Sequence, residues 1–130
     1  MSAALNPDPE RRAHGLDIYH KVYGENAVTI EPGQADFFDL MIGHLFGEVW
    51  ARPALAIDAR RLLVMGVLAA QHRFDTLGIQ FLRTLDNGEL SVEQVREVAI
   101  QLIPYIGYPC SGDLYRVSET AIATHLASAS

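Results

Sequence analysis

The sequence predicts an all-α protein, a bundle of about six helices in one domain of 130 residues. Apolar residues recur at helical spacing along most of the chain, and no stretch alternates convincingly as a strand. Glycine and proline punctuate these periodic stretches at "GENAVTIEPGQ", "ARPAL", "DNG" and "GYPCSGD". A composition of 49% hydrophobic and 20% charged residues is that of an ordinary globular chain, and the length suits a single domain.

Residues 1–8 are expected to fray. A first helix is expected over 9–23, ended by Gly24. A second covers about 35–50, where Phe37, Phe38, Met41, Ile42, Leu45 and Phe46 form a broad apolar stripe. Pro53 disfavours helix at Arg52 and breaks the pattern. Asp58 is the expected N-cap of a third helix, "ARRLLVMGVLAAQH". Its middle is apolar all round, so it is expected to be the central, most buried helix. A fourth runs over about 73–85 and stops at "DNG", with Gly88 as a left-handed terminator. Ser91 and Gln94 stand in capping-box spacing at the head of a fifth, which Pro104 should kink near its end. A last helix is expected over about 114–126, with Asp113 near its start as a cap.

The charge balance excludes some partners. With a net charge of −6 and no Lys/Arg run beyond two residues, the chain lacks the basic face that nucleic acid or an anionic membrane requires. The longest apolar run, 62–70, is too short to span a bilayer. The N-terminus has no apolar core of a secretory signal, and a single cysteine, Cys110, allows no disulfide within the chain. A cytoplasmic protein is expected.

Several residues could carry chemistry. Glu48 closes the apolar second helix beside Trp50, and His44 lies four residues earlier on the same face. A carboxylate and an imidazole so placed could share a proton, or could simply be a helix-end pair. The five histidines form no HxxxH, HExxH or Cys/His pattern, so no metal site is expected. Phosphate-cradling glycine loops and the GxSxG elbow are absent too. Arg60 and Arg61 open the third helix, where cations oppose the helix dipole. That suggests pairing with an acid or gripping a substrate carboxylate. Cys110 sits in a turn leading into a helix, where a thiol can become nucleophilic, or can just fill a gap in packing.

The segments "GEVWARPAL", "DARRLLVMGVLAA" and "LDNGELSVEQVREVAIQLIPYIGYP" resemble the carboxymuconolactone decarboxylase family, in order and with similar spacing, over about 36–123. The resemblance implies an all-α fold like that of the alkylhydroperoxidase AhpD, with subunits packed through helices as a homo-trimer or hexamer. It also implies decarboxylation of a small lactone or carboxylic acid without a cofactor. It points to Glu48 as the general acid, with Gln80 at the place of the usual histidine, and the one-turn spacing adds His44 as a partner for Glu48. Arg52, Arg60, Trp50, Tyr105, Cys110 and Asp113 would line the substrate site. Chemically, loss of CO₂ leaves a carbanion that must be stabilised and protonated, and a desolvated Glu48 beside an indole would suit that task.

The chain departs from the family pattern at informative positions. Arg73, Thr76 and Gln80 stand where the peroxidase branch has CxxCxxxH, so its dithiol chemistry has no support here. Gln80 also replaces the histidine of the decarboxylase branch, and an amide cannot exchange a proton near neutral pH. "PCSGDLY" takes the place of "PAANHAF". Three readings follow: a decarboxylase-like enzyme, a non-catalytic ligand-binding or assembly protein on the same fold, and a redox protein using Cys110.

Overall fold

A computed structural model describes residues 8–129; residues 1–7, most of the segment expected to fray, lie outside them. The described residues form helices and no strand, as the sequence predicts. None of the helices is long and apolar enough to cross a membrane. The chain falls into two compact units that divide after Ile57.

The first unit is a helical hairpin. Helix α1 (Pro9–Tyr23) begins at Asp8, whose side chain accepts from the N–H of Glu10. Helix α2 (Asp36–Leu40) runs directly into a π-helix, Met41–Trp50. The second expected helix is therefore correct in extent but not in winding. A π-helix of ten residues is long for its class, which occurs mostly as single turns. Glycines let the two arms meet backbone to backbone. A Cβ on Gly15 would lie 2.0 Å from the Ile42 carbonyl oxygen, and one on Gly47 would lie 3.0 Å from that of Arg11. Tyr19 packs edge-on to Phe38 and Phe46, and Phe46 stacks on buried Trp50.

A buried ion pair ties the linker to this hairpin. Arg12 pairs with Asp39 at 3.0 Å and also donates to the Ile30 carbonyl. The other oxygen of Asp39 accepts from the Gly33 N–H. The linker is held again where the Tyr19 hydroxyl donates to the Val28 carbonyl at 2.7 Å. Burial, with Tyr23 nearby, pushes the Tyr19 phenol above its ordinary pKa.

The second unit holds α3 (Ile57–Ala70), α4 (Phe74–Asp86), α5 (Val92–Ile106) and α6 (Ser111–Ala129). Helices α4 and α6 pack closely, and α5 lies against α6. Phe74, Leu77 and Phe81 from α4 meet Val95 and Ala99 from α5 and Leu114 from α6 in one core. Two polar ties reinforce it: Arg96 holds Glu119 through two hydrogen bonds, and His125 Nδ1 lies 2.7 Å from Asp86.

Three expectations need correction here. Helix α3 starts at Ile57, so Asp58 sits inside its first turn rather than capping it. Nor is α3 the most buried helix. Only Arg61, Met65 and Ala69 are buried, while Leu62, Leu63 and Val67 are 44%, 64% and 53% exposed. Apolar composition all round marks what a helix could bury, not what it does bury within one chain. Helix α6 begins three residues earlier than expected, after a short 3₁₀ turn (Tyr108–Cys110), so Asp113 lies in its first turn and pairs with Arg116 at 3.2 Å.

The helix ends obey local rules. Ser91 and Gln94 form the expected capping box. Helix α5 runs two residues past Pro104, to Ile106. After α4 the chain closes a Schellman motif: Glu89 N–H to the Thr84 carbonyl, Gly88 N–H to that of Leu85, with Gly88 at φ +71°. The same pattern closes α3, with Arg73 N–H to Leu68 and His72 N–H to Ala69. There the left-handed residue is His72, at φ +57°, in the place glycine usually takes.

Candidate active-site residues

In the first unit, Glu48 projects from the π-helix and accepts on both oxygens. Oε1 lies 2.8 Å from Nη1 of Arg11, and Oε2 lies 3.2 Å from Nδ1 of His44. The sequence spacing thus does bring His44 and Glu48 together, even though the helix winds differently. A one-turn offset survives because residues four apart remain neighbours when the turn widens by one residue. Arg11 comes from α1, across the Gly15–Gly47 seam, and no local spacing signalled it.

The surroundings of Glu48 differ from the expectation. Its side chain is 41% exposed, and His44 is 66% exposed. Trp50 turns inward onto Phe46 and does not desolvate the carboxylate. What results is an open cluster of carboxylate, imidazole and guanidinium. One oxygen is held by a permanent cation, and the other faces a group that can give or take a proton.

In the second unit, Gln80 is completely buried on α4. Its Oε1 accepts from Nη1 of Arg61 at 2.8 Å. Arg61 also donates from Nε and Nη2 to both oxygens of Glu89, at 2.7 and 3.0 Å. Glu89 accepts further from Asn87. This bidentate pair fixes the guanidinium, which in turn fixes which end of the Gln80 amide faces it. The sequence pointed to Arg60, which is half-buried, for a binding role; Arg61 is the arginine that reaches the Gln80 position. Arg61, Met65 and Ala69 share one face at intervals of four, and that spacing could have selected Arg61.

The remaining candidates are dispersed. Arg52 is exposed just after the π-helix, and Tyr105 is 81% exposed on α5. Cys110 ends the 3₁₀ turn and Asp113 lies in the first turn of α6, and they have different partners: Asp113 pairs with Arg116, and Cys110 lies 3.2 Å from Nε2 of His72. The second unit carries a groove of about 360 Å³ between α5 and α6, lined by Arg96, Ala99, Ile100, Ile103, Tyr115, Ser118 and Glu119. None of its lining residues was among the site candidates in the sequence. Among the described residues, no cluster of His, Cys, Asp and Glu could hold a metal ion.

Two curated proteins are similar to this chain. One is a 4-carboxymuconolactone decarboxylase of Acinetobacter baylyi, 28% identical over 117 residues, which span 86% of this chain and 87% of that protein. The other is a nitrosuccinic acid decarboxylase of Metarhizium robertsii, 29% identical over 111 residues, 82% of this chain and 74% of that protein. No family model matches the chain.

Proposed function

We infer that this chain, which belongs to the carboxymuconolactone decarboxylase family, removes CO₂ from a small carboxylic acid or lactone, with Glu48 as the group that moves the proton. The observation that carries this reading is that the two relatives are named for different acids and share one reaction. The reaction is thus the better guide to this chain than either substrate. Decarboxylation leaves an electron pair on carbon, and the protein must provide positive charge and then a proton. Protonated Glu48 can deliver that proton, and His44 can restore it from solvent through the 3.2 Å contact. Arg11 holds the other carboxylate oxygen at 2.8 Å and so sets the direction in which Glu48 points. Arg52 and Arg60 are the candidates to hold a substrate carboxylate, with Trp50, Tyr105, Cys110 and Asp113 as further candidates for the substrate site. Gln80 serves by hydrogen bonding and not by proton exchange. Self-association as a trimer or hexamer belongs to the same reading, and the exposed Leu62, Leu63 and Val67 of α3 support it.

One observation favours a second reading. Gln80 is fully buried and tied to Arg61, as a purely structural residue would be. A non-catalytic, ligand-binding or assembly role would leave Glu48 as a surface charge. The two are separated by measuring CO₂ release from a panel of carboxylated lactones and substituted succinates. Glu48→Gln is expected to lower the rate at least about 100-fold, the scale of general acid catalysis, with the melting temperature almost unchanged. Full activity in that variant would defeat the role of Glu48. Absence of turnover across the panel, with saturable binding retained, would favour the second reading.

A further inference from the structure

Cys110 is the chain's single cysteine, and the fold gives it a partner. Its Sγ lies 3.2 Å from Nε2 of His72, a residue 38 positions away. Neither residue belongs to the Glu48 cluster or the Gln80 network. The thiol is half-buried and the imidazole is exposed, so small molecules can reach both.

The pair is assembled at some conformational cost. His72 holds the left-handed position that ends α3, where the matching turn after α4 uses Gly88. A side chain in that conformation is strained where a glycine would not be. The imidazole then stacks on Phe74, with ring centres 5.7 Å apart and planes 14° apart, and this fixes the direction of Nε2. Cys110 immediately precedes the 19-residue α6, at the positive end of that helix's dipole. Thiol and base are therefore brought together from two separate turns of the backbone.

We propose that Cys110 and His72 form a nucleophile–base pair that adds covalently to small conjugated carbonyl compounds. With its own proton on Nδ1, His72 takes the thiol proton at Nε2. Sγ then bonds to the β-carbon of the conjugated compound, and the π pair of the C=C bond moves to give an enolate. The imidazolium returns its proton to the α-carbon. The net step adds S and H across a double bond and needs no oxidant, reductant or second thiol. A disulfide within the chain would need a second cysteine, so addition is the chemistry a single thiol with a base can complete. The addition uses neither Glu48 nor Gln80, so it can be tested apart from the decarboxylation.

Intact full-length protein treated with 2-cyclohexen-1-one and weighed by mass spectrometry tests it, because one adduct on one thiol is a simple readout. The native protein is expected to react at least about tenfold faster than the same protein in urea, and His72→Gly to lose at least about tenfold in rate. Glycine suits the backbone at that position, so this variant should keep or raise its melting temperature. Cys110→Ser should take up no enone. A native rate at or below the rate in urea, an unchanged rate in His72→Gly, or an adduct that persists in Cys110→Ser would each overturn the proposal.

Discussion

Two arginine–glutamate pairs of nearly the same length sit in opposite surroundings. Arg11 and Glu48 meet at 2.8 Å with side chains 45% and 41% exposed, whereas Arg61 and Glu89 meet at 2.7 Å with side chains 0% and 13% exposed. Distance therefore does not distinguish them; solvent does. In the open pair, water competes for both charges, so the contact contributes little to stability and the acid stays accessible. In the buried pair, neither charge can return to water, so each depends on the other and the pair acts as a structural fixture. The first setting leaves Glu48 open to solvent and to small molecules, and the second lets Arg61 orient its neighbour Gln80.

Breaking the buried pair should produce the largest effect. Arg61→Ala leaves Glu89 without its bidentate partner and removes the donor to Gln80, and is expected to destabilise the protein by about 3–5 kcal/mol in urea unfolding. A loss below about 1 kcal/mol would show that water reaches this pair and that the contrast is false. The corresponding change in the open pair, Arg11→Ala, should cost no more than about 1 kcal/mol while altering the reactivity of Glu48. A loss as large as that of Arg61→Ala would make the Glu48 cluster structural.

The smallest effect belongs to a third pair. The hydrogen bonds from Arg96 hold the Glu119 carboxyl below its ordinary pKa. A lowered folded-state pKa stabilises the protein at pH values above the unfolded-state pKa of glutamate. That contribution disappears as the pH falls through the lower folded-state value. The melting temperature of the native protein should therefore converge on that of Glu119→Gln as the pH drops below the ordinary glutamate range. Because this pair lies at the surface, the gap between the two melting temperatures at neutral pH should also shrink in high salt.

Much of this was legible in the sequence because the relevant forces are local. Helical periodicity located the helices, and the Ser91–Gln94 box and Gly88 marked ends whose hydrogen bonds close within a few residues. The His44–Glu48 contact followed from spacing alone. Winding did not follow from spacing, since Met41–Trp50 adopts a π-helix where α1 packs against Gly47. The left-handed turn at His72 was illegible for the opposite reason, because the residue there is not one that favours it.

What the sequence determined by itself is therefore the all-α class, the order of the helices, and the residue types a decarboxylase-like site would use. Tertiary structure decided which of those residues share an environment. It placed Arg11 rather than an indole against Glu48, chose Arg61 over Arg60 to meet Gln80, and joined Cys110 to a histidine 38 residues away. Burial and long-range pairing depend on how elements pack, and neighbouring positions on a helix with the same chemistry, such as Arg60 and Arg61, differ only in the direction they face.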